Sequence, residues 1–152
     1  MGVPLAPPVP MITTRTQSAP FDTAAESAAI TAGRTDIGAL VTFTGLVRDT
    51  QLTLEHYPAM TDRQLAAIAR QAETRWPILA GTVIHRHGSL APGDPIVLVA
   101  IASAHRAAAF EAAEFLMDWL KTRAPFWKHE AGSGWVAAKA SDDTAANRWD
   151  KP

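Results

Sequence analysis

Residues 95–130, PIVLVAIASAHRAAAFEAAEFLMDWLKTRAPFWKHE, decide how this chain folds. The first nine, 95–103, are apolar and rich in β-branched side chains, and a run of that length reads as a buried strand. From His105 onward the composition changes to alanine, leucine, phenylalanine and glutamate at helical spacing, which predicts a long helix to Arg123. Pro125 stops it, because proline removes a helical donor and clashes with the preceding turn. Residues 126–130 then return to strand character. With GWVAAK (134–139) they read as a last hairpin around Gly132-Ser133-Gly134.

Working upstream, APGD (91–94) is a turn and 82–87 is a strand. Thr61 and Gln64 form a T-x-x-Q capping box that opens a helix to about Trp76, with Leu65, Ile68, Ala69 and Ala72 on one face. The run 37–47, IGALVTFTGLV, reads as a central strand, and LTLEHY (52–57) reads as the next strand, paired with it as a hairpin and ended by Pro58. Asp22 caps a short alanine-rich helix that stops near Gly33. Residues 11–17 alternate weakly, as an edge strand does. The order β-α-β-β-α-β-β-α-β-β, with strand pairs on short turns, predicts an α+β fold. Its mainly antiparallel sheet carries packed helices in a single domain over 11–152. Residues 1–10 hold four prolines and read as a flexible lead-in. In the polar tail 141–152, Trp149 is expected to dock on the body of the protein.

A formal net charge of -1 leaves no general pull toward nucleic acid or anionic lipid, so a positive site has to be local. The longest apolar run is far too short to span a bilayer, and the first residues lack the pattern of a secretory signal. A cytoplasmic setting is expected. The chain has no cysteine, which excludes disulfides, thiolate metal sites and a persulfide on this protein. If it handles sulfur, another molecule carries it.

Four places offer chemistry. Ser103-Ala104-His105-Arg106 lies where the apolar strand feeds the helix. A helix start presents free N–H groups and the positive end of its dipole, Arg106 adds a fork of donors, and His105 adds a donor or a proton. The plain alternative is Ser103 as an N-cap with two solvated basic residues. Lys121 falls near Phe110 and Met117 on the helical wheel, at the edge of the stripe expected to face inward, where an apolar wall would favour a base or nucleophile. A lysine compensating the helix C-terminus is the alternative. Lys128 and Arg123 crowd the same helix-to-strand corner and read as a cationic pocket wall or as exposed surface. Arg48 ends TFTGLVR, where Gly45 permits a bulge or a close backbone approach. His85 and His87 share a strand face, but no third metal ligand accompanies them. Glu55-His56 is a possible acid–base pair. No phosphate loop, dinucleotide fingerprint, nucleophile elbow or zinc-helix motif occurs.

Taken together, GALVTFTGLVRD (38–49), LTLEHYPAMT (52–61), VIHRHGSLAPGD (83–94), residues 103–130 and the closing ANRW (146–149) resemble the large subunit of molybdopterin synthase. The resemblance runs from about Asp36 to Trp149 and implies an α/β-hammerhead-like fold. It implies conversion of cyclic pyranopterin monophosphate to molybdopterin by insertion of two sulfurs, with no permanently bound cofactor and no metal on this subunit. The sulfur donor would be the C-terminal thiocarboxylate of a small ubiquitin-like partner, and two copies of this chain would form a homodimer within a heterotetramer. By motif, Lys121 in LKTRAP and Lys128 in FWK match the family's essential lysines. Arg48, with Leu46 and Val47 beside it, matches the arginine of the TG-x-VR motif, and His105-Arg106 matches the substrate-binding pair. His129 and Glu130 follow Lys128 at the substrate-binding strand. One departure stands out: only Asp49-Thr50-Gln51 separate Arg48 from LTLEHY, where family members usually carry a longer loop. A binding module that keeps the partner groove without catalysis is the rival reading, and a phosphate-ester hydrolase built on His105 and Arg106 is a weaker one.

Overall fold

The computed structural model describes residues 9–123, 126–130, 134–136 and 140–150, with side chains throughout except at 127, 129, 130, 134–136 and 140–142. In chain order the elements are β1 (Ile12–Gln17), α1 (Thr23–Thr31), β2 (Ala39–Leu46), β3 (Leu52–His56), α2 (Pro58–Arg75), β4 (Ile78–Arg86), β5 (Gly88–Leu90), β6 (Pro95–Ser103), α3 (Arg106–Arg123), β7 (Phe126–Glu130), β8 (Gly134–Val136), α4 (Ala140–Asn147) and a 3-10 turn (Arg148–Asp150). Most of the predicted lead-in, and the turn 131–133 of the last hairpin, lie outside the described residues.

The strands form two sheets of four, in the orders β1-β4-β6-β2 and β5-β3-β7-β8. All pairings are antiparallel except β1 with β4. β6, the expected buried strand, is interior to the first sheet, and residues Val97 to Ser103 along it are buried. Its side chains alternate between two cores. Val97, Val99 and Ile101 face α2 and α3, meeting Leu65, Ile68, Phe115 and Leu116. Leu98, Ala100 and Ala102 face Ile30 of α1. The second sheet closes a smaller core of Val47, Leu52, Leu54 and Leu90, against which Ile96 and Phe126 pack. The α+β class therefore holds, with helices on both faces of the first sheet.

Three local expectations are corrected. The 37–47 strand is an edge strand, because among the described residues β2 pairs only with β6. Nor does it form a hairpin with 52–57: β3 pairs with β5 and β7, so the chain leaves one sheet for the other within Val47–Gln51. That passage turns on Asp49, which takes a positive φ of 70°, a conformation that aspartate tolerates better than most residues. Finally, α2 does not start at a Thr61–Gln64 capping box. It starts at Pro58, whose fixed φ suits the first helical position, with Tyr57 as N-cap and no side-chain cap bond. Thr61 is fully buried in the first turn, its amide bonded to the Tyr57 carbonyl.

Other expectations hold. The Asp22 carboxylate accepts from the Ala25 amide at 3.1 Å and caps α1, and Gly33 follows that helix with a positive φ of 70°. The tail docks through Trp149, whose indole N–H donates to Asp118 Oδ2 at 2.6 Å. Its ring packs edge-on against Phe115 and Trp76.

Candidate functional site

The geometry of α3 decides which candidate residues can meet. β6 ends at Ser103, and α3 runs back along the sheet to the end where β6 begins. There the register pairs Leu46 with Pro95 and His85 with Val97. Lys121 in the last turn of α3, Lys128 on β7 and the Leu46-Val47-Arg48 segment therefore gather at one end of the first sheet. His105 and Arg106 stand at the other end. At 1.5 Å per residue, α3 carries Arg106 about 22 Å along its axis from Lys121.

At the first end, β2 closes with a register shift at Gly45/Leu46. Gly45 is needed there, since a Cβ would stand 2.7 Å from Val97 Cγ1. The irregularity leaves Leu46 exposed and Val47 buried, with Val47 bonded through its amide to the Asp94 carbonyl and through its carbonyl to the Gly93 amide. Val47 thus anchors the strand end, and Arg48 projects outward, 81% exposed, with Asp49 Oδ2 3.7 Å from its Nε. Lys128 lies opposite Leu54 of β3, with its side chain exposed. His129 and Glu130 pair in register with Thr53 and Leu52, and their side chains lie outside the described residues.

Lys121 is exposed, and its expected wall is corrected. Phe110, taken as a marker of the inward stripe, is itself 60% exposed. The buried stripe of α3 is Ala109, Ala112, Ala113, Phe115, Leu116 and Leu120, which turns Phe110 and Lys121 toward the outside.

At the second end, Arg106 is the first residue of α3, and both it and His105 are exposed, as an anion-facing helix start requires. Ser103 is not an exposed N-cap. It is fully buried, and its hydroxyl donates to the His105 carbonyl, holding the turn into α3. Gly38 packs under the same turn, its amide donating to the Ser103 carbonyl at 3.0 Å.

One further group left only a faint signal in the sequence. His85 stacks on Phe126, two residues before Lys128, with ring centroids 3.8 Å apart. Burial pushes the His85 imidazole down to about 4, and the nearby Lys128, His56 and His87 reinforce the shift against an opposing bond to the Arg86 carbonyl. His56 is lowered by burial and then by His87, with Asp62 opposing. The alternation His85-Arg86-His87 was legible, but not that Arg86 would be buried, donating to the Ser18 and Pro95 carbonyls. Among the described residues, no group of three or more His, Cys, Asp or Glu side chains is placed to hold a metal ion. No described helix is long and apolar enough to cross a membrane.

The chain is thus a two-sheet α+β protein with lysines and an arginine gathered at one end of α3 and a His-Arg pair at the other. The chain belongs to the MoaE protein family, whose sequence profile matches residues 16–123. It is 55% identical to the molybdopterin synthase catalytic subunit of Mesorhizobium japonicum, over 98% of this chain and 97% of that protein. Among solved structures, the molybdopterin cofactor biosynthesis protein E of Burkholderia multivorans superposes with a TM-score of 0.82 at 50% identity, over 92% of this chain and 97% of that one. A chain in the Helicobacter pylori complex of subunits 1 and 2 of molybdopterin-converting factor shares the fold, with a TM-score of 0.63 at 20% identity, over 86% of this chain and 91% of that one.

Proposed function

We propose that this protein is the catalytic subunit of a molybdopterin synthase, a cytoplasmic sulfurtransferase of molybdenum cofactor biosynthesis. Its substrate is cyclic pyranopterin monophosphate. The sulfur donor is the C-terminal thiocarboxylate of a small ubiquitin-like partner. The observation that carries the reading is the convergence of Lys121, Lys128 and the Leu46-Val47-Arg48 segment at one end of the first sheet. The absence of cysteine from the chain agrees with a donor held by a second protein.

In this reading the partner's extended tail enters beside Lys121. Lys121 then stabilises the oxyanion that forms as the acyl–sulfur bond breaks. Lys128 neutralises and orients the substrate, with Arg48 positioning the same anion and His129 and Glu130 flanking it. His105, Arg106 and the first turn of α3 bind the phosphate or pterin. Because α3 separates that pair from Lys121 by about 22 Å within one chain, the two clusters serve one substrate only if a second copy brings its own His105-Arg106 across. The exposed apolar side chains of Phe43 and Leu46 on edge strand β2 and of Phe110 on α3 are consistent with such a homodimer, two partners completing a heterotetramer.

The test is reconstitution. The protein is mixed with the thiocarboxylated partner and the cyclic precursor, and molybdopterin is assayed as its fluorescent oxidised derivative. Product that requires all three components is expected. Lys121→Ala and Lys128→Ala are each expected to lower turnover by roughly 10²-fold or more while still binding the partner. No product from the unaltered protein, with partner binding intact, would favour the non-catalytic binding module.

A further inference from the structure

Four aromatic rings form a chain across the gap between the two sheets. His85 of β4 stacks on Phe126 of β7 at 3.8 Å, with ring planes 18° apart. His56 of β3, the register partner of Phe126, lies 5.5 Å from the same ring at 20°. His87, just beyond β4, meets His56 at 4.2 Å. β4 belongs to the first sheet and β3 and β7 to the second, and no strand is common to both.

The inner end of this chain is fixed. His85 Nδ1 lies 2.8 Å from the Arg86 carbonyl, which can only accept, so Nδ1 carries the proton and donates. Phe126 also rests on the small core beneath the second sheet. Lys128 follows Phe126 by two residues and so leaves the same face of β7. The strand itself is lightly held, with five residues of β3 on one side and only the three-residue β8 on the other.

We propose that His85, seconded by His56, is a positioning residue for Lys128: the ring stack clamps β7 to β4 and thereby fixes where the Lys128 ammonium stands. The proposal rests on the reading of Lys128 as part of the sulfur-transfer site. The clamp requires a neutral imidazole at position 85. A proton there is opposed by the charges of Lys128, His56 and His87. The neighbours of His85 on the adjoining strands, Thr16 of β1 and Val97 of β6, carry no charge to offset it. From α2, Asp62 acts on His56 and also accepts from the Thr16 hydroxyl at 3.1 Å. The Arg86 guanidinium is committed to the Ser18 and Pro95 carbonyls.

The experiment follows Lys128 directly. Lysines of the full chain are reductively methylated with ¹³C, the Lys128 resonance is assigned with Lys128→Arg, and the spectrum is recorded for the unaltered protein, His85→Phe, His85→Ala and His56→Ala. Turnover and KM for the partner are measured on unmethylated samples. His85→Phe keeps a flat neutral ring, and its Lys128 resonance and kcat are expected to stay near those of the unaltered protein. His85→Ala is expected to move or broaden the Lys128 resonance and to lower kcat roughly tenfold to a hundredfold, as small misplacements of reacting groups do, with a much smaller change in KM. A His85→Ala protein with the original Lys128 resonance and kcat overturns the proposal. If that variant does not fold, the more peripheral His56→Ala decides the matter by the same two readings. A shifted Lys128 resonance in a protein that makes no product even unaltered would leave the clamp standing and remove the functional reading instead.

Discussion

His85 shows how a single side chain can tie stability to pH. Burial lowers its proton affinity in the folded chain to about 4, below the ordinary value near 6.5 that applies once the chain unfolds. Between those values the unfolded state binds more protons, so stability rises with pH across the window. The contribution is complete above about pH 6.5 and is lost as the pH falls toward 4. The residue as a whole is half-buried, which tempers the shift, so the expected amount is on the order of 2 kcal/mol. Urea unfolding at pH 5 and pH 7 should give a smaller stability difference for His85→Phe than for the unaltered protein. The same slope in both would remove His85 as its source. The candidate lysines make the opposite case at this scale. Both were legible by motif, yet the helical wheel placed Lys121 against a wall that Phe110, itself exposed, does not provide.

At the scale of elements, propensity and periodicity located the helices and strands apart from β5, α4 and the closing 3-10 turn, and the misplaced start of α2 has a local cause. A T-x-x-Q motif loses to a proline three residues earlier, because Pro58 fits the first helical position and needs no donor. The turn from β6 into α3 is tightly packed against Gly38. A Cβ on Gly38 would stand 2.1 Å from the Ala104 carbonyl oxygen, which is backbone and cannot swing aside. Gly38→Ala is therefore expected to cost about 1–3 kcal/mol, or to shift the His105-Arg106 turn, read as a lowered Tm by calorimetry. An unchanged Tm would show that the turn has slack. At the other end of α3, the Asp118 carboxylate takes both the Trp149 indole and the Arg148 guanidinium, and Arg75 donates to the Trp149 carbonyl at 2.7 Å. Trp149→Ala removes the ring and its hydrogen bond to Asp118. A loss of about 2–4 kcal/mol is expected from chemical denaturation.

For the whole molecule, the decisive fact is that the two cationic clusters occupy opposite ends of one helix. If a second copy supplies His105-Arg106 to each lysine cluster, inactive variants should complement one another. Mixing Lys121→Ala with Arg106→Ala protein, under conditions that exchange subunits, yields mixed dimers in which one of the two sites is intact. At equal mixing about a quarter of the full activity is expected. No recovery, with exchange verified by mass spectrometry, would mean that each site is built within one chain. The two-sheet layout also belongs to this scale. β2 and β3 are adjacent in sequence and separated by a few residues, yet they pair in different sheets.

The sequence by itself determined the α+β class, the order of the elements apart from β5 and α4, the buried run of β6, the amphipathic face of α2 and the residues at which chemistry was to be sought. Each of these rests on local chemistry: alternation, helical spacing, proline stops and motif spacing. Tertiary structure alone decided that β2 lies at an edge, that β3 joins the second sheet, that Phe110 faces outward and that His85, Phe126, His56 and His87 stack beside Lys128. It also decided which ends of the sheet the basic residues occupy. Strand partners and ring contacts are set by how whole faces fill a shared core, and residues far apart in the chain make that choice together.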